Sequence, residues 1–200
     1  GDACIIAEPS GYFNCEIGQK GCCWLKLTAS GVPAHGSLAP FVGENAIEKL
    51  MRVLGRITDL RNIPARYDDD TAAVMEDSKQ NARRRLTAKG AAHVLNHCSV
   101  NIGKINGGTK INMVPDHAEA EVDIRVPIGI STKTVEEEIC RIIQESGAQD
   151  VEYSFSWRSE PNSTPRTAGI VECLAENVQE IWKEPLTRTY QWASSDARFF

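Results

Sequence analysis

The chain has 200 residues, of which 42% are hydrophobic and 24% are charged, an ordinary composition for a globular protein. Its 22 Lys and Arg residues against 27 Asp and Glu give a net charge of −5, and no basic stripe is interleaved with aromatic residues. This excludes nucleic acid as the expected partner. No apolar run approaches the roughly 18 to 20 residues that a membrane span needs, so no membrane partner is expected either.

The seven cysteines are an odd number, lie mostly in apolar periodic segments and include no CxxC pair. This pattern predicts buried free thiols in a reducing compartment, and so a cytoplasmic protein, in preference to a disulfide framework. The chain starts Gly1-Asp2 without a methionine. We therefore expect a piece of a longer protein, and whether that protein carries a signal peptide is left open.

The first predicted element is a short strand. Ala3 to Ala7 is a continuous apolar run, typical of a strand buried on both faces of a parallel sheet, and it ends at Glu8 before a Pro-Ser-Gly turn. Ligands bind beyond the carboxyl ends of strands in open α/β sheets, so Glu8 is a candidate site residue. A solvated loop carboxylate is the alternative interpretation.

A strand over residues 22–30 and an amphipathic helix over residues 45–57 are predicted next. The apolar residues at helical spacing are Ile47, Leu50, Met51, Leu54 and Ile57. His35 lies between the two elements in a turn rich in glycine and proline, where a side chain meets a ligand more readily than it fills a core. Residues 62–92 are polar, with opposed charge blocks and weak periodicity, so they predict an exposed insertion with some helix.

A hairpin is predicted in the middle of the chain. The strand-like runs His97 to Ile105 and Lys110 to Val126 flank Asn106-Gly107-Gly108, and an Asn-Gly step there is a strong hairpin signal. The second run alternates as a half-buried strand does. Its apolar face holds Ala118, Ala120, Val122, Ile124 and Val126, and its polar face holds Glu119, Glu121, Asp123 and Arg125.

A second helix and a last strand complete this part. Thr134 and Glu137 form a capping-box pattern that opens a helix ending at Gly147. Its inward residues are Val135, Ile139, Ile142 and Ile143. Val151, Tyr153, Phe155 and Trp157 then alternate as a strand. The order over residues 21–158 is strand, helix, strand, strand, helix, strand, which is the split βαβ or ferredoxin-like βαββαβ arrangement.

Beyond residue 160 the pattern returns to α/β. A helix from Ala168 to Lys183, with Ile170, Leu174, Val178 and Ile181 inward, precedes a strand from Leu186 to Gln191. We therefore predict an α+β chain of three parts. Residues 21–160 form a split βαβ domain, inserted between residues 1–20 and residues 161–200, which are pieces of an α/β domain.

Four motifs occur in order along the chain: EPS at residue 8, AHGSLAP leading to GENAI, INGGTKINMVPDHAEAEVDIR, and the terminal SSDARFF. In this order they resemble the zinc-dependent peptidase and deacylase family that includes acetylornithine deacetylase, succinyl-diaminopimelate desuccinylase, aminoacylase and carnosinase. The resemblance covers nearly the whole chain except residues 62–92. It implies a lid and dimerisation domain inserted into a partial α/β metallopeptidase catalytic domain with two divalent metal ions, usually zinc.

The resemblance also implies roles for single residues. Glu8 would be a carboxylate ligand to one metal. His35 would be catalytic, reaching across a dimer to stabilise the oxyanion of the tetrahedral intermediate. Asn112 would contact substrate, also from the partner subunit, although a turn-stabilising asparagine before a proline is the structural alternative.

The remaining matches concern substrate binding. Arg125 would hold the free carboxylate of the substrate with its guanidinium fork, and a cross-strand salt bridge is the alternative. Ser194 and Ser195 would line the substrate pocket, where Ala193 replaces the glycine that is common in the family. His93 and His97 are four residues apart but lack the intervening glutamate of a metallopeptidase helix, so we interpret them as structural.

The resemblance implies part of a metal-dependent amidohydrolase that cleaves an amide or peptide bond in N-acyl amino acids or small peptides with a free carboxylate. The other metal ligands and the general base are expected outside this chain, so the 200-residue piece is expected to bind no metal and to be inactive alone. A homodimer through residues 21–158 is expected. A non-catalytic dimerisation or small-molecule-binding module is the alternative. The sequence names neither the substrate nor the metal.

Overall fold

The computed structural model describes residues 2–199, so Gly1 and Phe200, the end residues of the predicted outer pieces, lie outside the described residues. Its strands are β1 (Asn14–Gln19), β2 (Gly21–Ser30), β3 (Ser99–Gly107), β4 (His117–Val126), β5 (Glu152–Ser159), β6 (Asn162–Ser163) and β7 (Thr187–Gln191). Its helices are α1 (Ala46–Ile57), α2 (Asp69–Leu86), α3 (His93–Asn96), α4 (Thr132–Glu145) and α5 (Gly169–Trp182). Short 3₁₀ helices span Gly36–Leu38, Thr58–Asn62 and Asp196–Phe199.

The larger of the two sheets has four strands in the order β3-β4-β2-β5, and every neighbouring pair is antiparallel. The two central strands run in register along their whole length, from the pair of Gly21 with Val126 to the pair of Ser30 with His117. Helices α1 and α4 pack on one face of this sheet. This confirms the predicted α+β class and the βαββαβ order of the split βαβ domain.

The core of this four-stranded unit lies between the sheet and its two helices. Alternate residues of β4, from Ala118 to Val126, are at most 1% exposed, which confirms the predicted apolar face. The buried residues of α4 include the four predicted aliphatic side chains from Val135 to Ile143. Burying each large aliphatic side chain contributes about 1.5 to 3 kcal/mol relative to leaving it exposed, so this face holds the unit together.

Both helices of the unit differ from the prediction in detail. Helix α1 begins after Asn45, whose side chain accepts hydrogen bonds from two backbone amides of the first turn. Its buried face contains Val53 in place of the predicted Met51, which is 59% exposed. Helix α4 is capped by Ser131, not Thr134, because the serine side chain accepts from the Thr134 amide one turn earlier.

The predicted hairpin is wrong at its turn. Strands β3 and β4 are antiparallel as predicted, but Asn106 pairs with Glu119 and Gly107 with Ala118, so both lie within the ladder. The connection is a loop over residues 108–116, and β4 begins at His117 instead of Lys110. The Asn-Gly signal fails because the loop forms its hydrogen bonds with a different part of the chain.

The smaller sheet has three strands in the order β6-β1-β7, with β1 parallel to β7 and antiparallel to β6. Helix α2 packs on β7, and its buried residues are Val74, Met75, Ser78 and Ala82. The Ser78 hydroxyl accepts a 2.7 Å hydrogen bond from the Tyr190 amide. Residues 62–92 are therefore not simply an exposed insertion. Their buried stripe is too narrow to stand out in a helix that is otherwise polar.

Two predictions about the outer pieces are also wrong. Residues 3–7 form no strand, and Ile5 is 60% exposed, because no strand among the described residues pairs with them and a strand buried on both faces needs neighbours. In α5 the predicted inward Ile181 is 70% exposed, and the one fully buried residue is Val171. The strand predicted at residues 186–191 is confirmed as β7.

Within residues 2–199 all seven cysteines are free thiols, as predicted. Three of them, Cys22, Cys23 and Cys98, are buried, whereas Cys4 and Cys173 are exposed, which differs from the expected burial. Burial raises the pKa of Cys98 to about 11, so that thiol is protonated at neutral pH. No helix in the described part of the chain is long and apolar enough to cross a membrane.

Candidate functional site

Two loops meet at one end of the four-stranded sheet and bring His35 close to Asn112. We call residues 31–45 and 108–116 the distal loops. The Gly36 amide donates a 2.8 Å hydrogen bond to the Asn112 carbonyl, and His35 forms an isolated antiparallel bridge with Met113. The structure therefore joins the loops of two predicted site residues that are 77 positions apart in sequence.

His35 is exposed on this surface. Its Nδ1 atom lies 2.7 Å from the Ser37 hydroxyl and accepts from the Ser37 amide, so the ring caps the short 3₁₀ helix that follows. In the described part of the chain its Nε2 atom has no hydrogen-bond partner. The ring is thus held through one nitrogen and presents the other for a ligand.

Two glycines in the loop over residues 31–45 are explained by the close approach of other backbone atoms. A Cβ atom at Gly36 would lie 3.1 Å from the Asn112 carbonyl carbon, and one at Gly43, where φ is +86°, would lie 2.7 Å from the Val32 carbonyl oxygen. A larger residue at Gly36 would press against the other distal loop, whereas one at Gly43 would distort the loop over residues 31–45 itself.

The distal loops also carry exposed apolar side chains around His35. Phe41 is 93% exposed and Ile111 is fully exposed, while Leu38 and Val42 are each about half exposed. A group of large apolar residues on two adjoining loops is typical of a surface that another molecule covers.

Arg125 lies at the other end of the sheet, near the end of β4. Its Cα partners are Cys22 on β2 and Ser99 on β3. The Arg125 Nε atom is 2.9 Å from the carboxylate of Asp123, on the same strand, and the side chain is 28% exposed. This salt bridge lies within one strand and is not the cross-strand pair given as the alternative. Both terminal nitrogens of the guanidinium remain without a hydrogen-bond partner among residues 2–199.

The strand itself separates the two ends. His117, beside the distal loops, and Arg125 are eight residues apart on β4, which corresponds to about 27 Å at the rise of an antiparallel strand. A small substrate cannot touch both ends of one chain at once.

Ser194 and Ser195 lie at the Arg125 end. The Ser194 hydroxyl donates a 2.7 Å hydrogen bond to the Lys20 carbonyl, and the Ser195 amide donates to the Gln19 side chain. The Arg198 guanidinium donates to the hydroxyl of Ser159. Ser159 and Arg125 are both Cα partners of Cys22, so this contact also lies at the Arg125 end of the sheet. Glu8 reaches the same region through Gln191, the Cα partner of Gln19. We call Glu8, Arg125, Ser194 and Ser195 the junction group, because their partners lie at the end of β1 and the start of β2, where the two sheets meet.

A cleft of about 530 Å³ opens beside the junction group, lined by Glu8, Glu16, Gln191 and Ser195 among others. The Glu8 carboxylate is half-buried, and its Oε2 atom is 3.5 Å from Gln191 Nε2. The buried Gln191 Oε1 has no hydrogen-bond partner in the described chain. A second cleft, of about 400 Å³, is lined by none of the predicted site residues.

The described residues do not make a metal site on their own. Nowhere in residues 2–199 do three His, Cys, Asp or Glu side chains come together as a cluster that could hold an ion. Glu8 supplies a single hard oxygen ligand, and a zinc site needs three or four. His93 and His97 have ring centroids 5.6 Å apart, and His97 Nδ1 is 3.0 Å from the His93 carbonyl oxygen.

Lys20 is a buried charged residue that the sequence did not reveal. It is 2% exposed, and its ammonium donates to the carbonyls of Val94 and His97 and to the Ser99 hydroxyl, at 2.7 to 3.1 Å. Burial lowers its pKa to about 8. Lys20 connects the end of β1 to the start of β3. A lone lysine beside a glycine is part of no sequence pattern that would predict its burial or its contacts.

Arg85 of α2 is a second residue that the sequence did not reveal, because it lies in a basic run within the predicted insertion. Its guanidinium contacts the carbonyls of Pro9 and Ser10, the carboxylate of Glu16 and the ring of Trp192. Burial raises the pKa of Glu16, and the Arg85 charge opposes that shift.

Comparison with known proteins gives a consistent picture. Residues 17–151 match the family model described as "Peptidase dimerisation domain". Aminoacylase-1 of Mus musculus is 29% identical over 161 residues, which are 80% of this chain and 34% of that protein. A protein of Staphylococcus aureus named "Probable succinyl-diaminopimelate desuccinylase" is 32% identical over 130 residues, which are 62% of this chain and 30% of that protein. The chain thus spans about a third of the length of the curated relatives it matches.

A solved structure agrees in fold. The chain of an M20 family metallo-carboxypeptidase from Sulfolobus solfataricus matches with a TM-score of 0.69 at 16% identity, over 92% of this chain and 48% of that one. The two folds are therefore alike over 92% of this chain.

Proposed function

Because the chain belongs to the peptidase dimerisation domain family, we propose that it is the dimerising part of a metal-dependent amidohydrolase. The reaction we propose is hydrolysis of an amide or peptide bond in an N-acyl amino acid or small peptide with a free carboxylate. Family membership implies self-association. Hydrolysis would be the activity of the longer protein, since this chain spans a third of its relatives.

The observation that carries the proposal is the separation of the distal loops from the junction group. In one chain about 27 Å of β4 keeps His35 and Asn112 away from Arg125. A two-fold dimer can bring the distal loops of one chain to the junction group of the other, and symmetry then builds two such sites. The exposed apolar residues around His35 support a partner-covered surface there.

In this arrangement Arg125 binds the carboxylate of the substrate. Asp123 holds the Nε atom, which orients the guanidinium and leaves its terminal nitrogens for a bidentate contact. The imidazole of His35 from the partner subunit donates to the oxygen that becomes negative in the transition state. Asn112 from the partner lies beside it and offers an amide to the substrate.

We propose that Ser194 and Ser195 line the substrate pocket and that Glu8 is a ligand to one of two zinc ions. The other metal ligands and the general base would belong to parts of the protein outside this chain, so the two ions would bind only to the full-length protein. The chain alone would bind no metal and would not turn over substrate. The cleft beside Glu8 supports this assignment, because it joins Glu8 to Ser195 in one space.

For the dimer contact we propose the β3 edge of the four-stranded sheet together with α1. Strand β3 is an edge strand, and its Ile102 and Ile105 are 38% and 54% exposed. Met51 of α1 is also exposed. An edge that presents unpaired backbone groups beside apolar side chains can extend its sheet into a second copy. We further propose a cytoplasmic location, which the seven free thiols support.

Complementation between two inactive variants of the full-length protein tests the proposal. His35→Ala and Arg125→Ala should each abolish hydrolysis of an N-acyl amino acid. After the two proteins are mixed and allowed to exchange subunits, about a quarter of the wild-type activity should return, because each mixed dimer holds one intact site. An Ile105→Lys change in both proteins should prevent this recovery if the β3 edge forms the dimer.

Recovery fails if His35 acts within its own chain, since every site of a mixed dimer then carries one defect. That result, with mixed dimers shown by mass, would contradict the shared site. A wild-type protein that dimerises but hydrolyses no N-acyl amino acid or dipeptide, with zinc supplied, would favour a non-catalytic binding module instead.

A further inference from the structure

Arg85, in the last turn of α2, reaches the segment that carries Glu8. Its Nη1 atom donates a 3.0 Å hydrogen bond to the Ser10 carbonyl, and its Nη2 atom donates one of 2.9 Å to the Pro9 carbonyl. The same Nη1 atom is 3.1 Å from Glu16 Oε1 on β1. The guanidinium carbon lies 4.7 Å from the centroid of the Trp192 ring. One side chain therefore ties together three separate pieces of chain.

These pieces are the ones around the junction group. Pro9 and Ser10 directly follow Glu8, and Trp192 directly precedes the loop of Ser194 and Ser195. We propose that Arg85 is a positioning residue that holds the Glu8 segment and this loop in their places beside the cleft. The metal-ligand role of Glu8 rests on the proposed function, whereas the positioning of its segment by Arg85 does not.

The Glu8 segment needs such a tie. It forms no strand, and its backbone amides make only local turns, from the Glu8 amide to the Ile6 carbonyl and from the Ser10 amide to the Glu8 carbonyl. The two hydrogen bonds between Ser10 and Asn14 are also local, since they join residues four positions apart. Turns of this kind do not determine where a segment lies relative to the rest of the fold. The hydrogen bonds from Arg85 span more than 70 positions in sequence, and so they restrict the segment as a whole.

Arginine is suited to this task by geometry and by charge. The planar guanidinium donates in two directions at once, which allows two successive carbonyls and a carboxylate to share one side chain. Glu16 is only 11% exposed, and burial, with a smaller contribution from the nearby Glu8 charge, raises its pKa. Without Arg85 the buried Glu16 carboxylate would lose its cation, which is costly in a site with little water.

An ion pair that merely stabilises the fold is the competing explanation, and three variants of the full-length protein distinguish the two. Arg85→Gln removes the charge and most of the donors. Arg85→Lys keeps the charge near Glu16 but cannot reach both carbonyls with one ammonium. Arg84→Gln is the matched control, because it makes the same charge change one residue earlier, where the described residues give the side chain no hydrogen bond or ion pair.

The first readout is hydrogen–deuterium exchange of the peptide covering residues 3–11, which depends on neither metal nor substrate. We expect exchange to be about ten-fold faster in Arg85→Gln and in Arg85→Lys, and unchanged in Arg84→Gln. Equal exchange in Arg85→Gln and Arg84→Gln would overturn the proposal. Slow exchange in Arg85→Lys would also overturn it, because the ion pair alone would then suffice.

The second readout is the zinc affinity of the same proteins, measured by competition with a chelator. Groups that orient a metal ligand typically change affinity by about 10- to 100-fold when removed, and we expect a loss of that size in Arg85→Gln but not in Arg84→Gln. A full-length wild type that binds no zinc would refute the proposed function of Glu8. The exchange result would still decide whether Arg85 positions the segment.

Discussion

The two sheets of this chain are stabilised in different ways. In the four-stranded unit, 24 buried residues from β2, β3, β4, the two helices and their connections form one continuous apolar core, and Tyr153 and Phe155 of β5 pack against it. In the three-stranded unit, made of β1, β6, β7, α2, α3 and α5, the corresponding cluster has seven buried residues. There, polar ties such as those of Arg85 and Ser78 link the elements. The first unit can serve as a rigid frame, whereas the second positions chemistry-bearing segments through individual contacts.

The largest effect is expected at His35, the proposed catalytic residue, which a loop of the four-stranded unit carries. In the full-length protein, His35→Ala should lower kcat by about 100- to 1000-fold with little change in KM, because the lost donor acts in the transition state. Ser37→Ala, which removes only the hydroxyl partner of the ring, is the control and should cost far less. Loss of activity through a higher KM alone would contradict the assigned role.

The independence of the two cores can be tested by cavity-forming substitutions. Leu50→Ala, in the core of the four-stranded unit, should reduce the free energy of unfolding by about 3 kcal/mol and speed amide exchange throughout β2 and β4. Met75→Ala, in the smaller core, should speed exchange in β1 and β7 only. Equal acceleration in β4 from both variants would show that the chain has one cooperative core.

Lys20, between the two units, should make stability depend on pH. Its pKa falls from 10.5 to about 8 on folding because the ammonium is buried. Between these values the unfolded chain binds more protons at this residue, so the free energy of unfolding rises with pH. Relative to Lys20→Met, wild type should gain about 1 to 3 kcal/mol between about pH 7 and about pH 10.

Chemical denaturation of both proteins at several pH values measures this difference. The cysteines and other groups that titrate in the same range are common to both proteins and largely cancel. A difference that stays flat across the range would mean that Lys20 keeps its ordinary pKa in the fold.

The smallest expected effect is on stability, and it distinguishes the observed N-terminal cap of α4, Ser131, from the predicted one, Thr134. Ser131→Ala should destabilise the four-stranded unit by about 1 kcal/mol, because the first turn of α4 loses the acceptor for the Thr134 amide. Thr134→Ala should cost only a few tenths of a kcal/mol. Thermal unfolding of the two variants gives the ranking, and the reverse order would restore the cap predicted from the sequence.

Much of the four-stranded unit could be predicted because its pattern is local and regular. Alternation along β4 and helical spacing in α4 specify which faces are apolar, and the order of elements then allows few topologies. The errors occurred where local signals compete. Met51 and Val53 are both apolar and flank the stripe of Leu50, Leu54 and Ile57 on opposite sides of the helix, and only the packing against the sheet selects Val53.

The three-stranded unit was predicted less well for the opposite reason. Helix α2 buries a stripe of only four residues, two of them small, so its sequence resembles a solvated segment. The predicted strand at residues 3–7 was wrong because an apolar run alone does not supply the neighbouring strands that would pair with it. The identities of the six site residues came from ordered motifs, and their roles remain predictions.

The sequence by itself determined the class of the fold, the apolar faces of the four-stranded unit and the family to which the chain belongs. These follow from periodicities and motifs that act over a few residues at a time. Only the tertiary structure decided that His35 and Asn112 share one end of the sheet while Arg125 lies at the other, and that Lys20 and Arg85 hold the junction. Such relations depend on hydrogen bonds between residues more than 70 positions apart, and no local pattern encodes them.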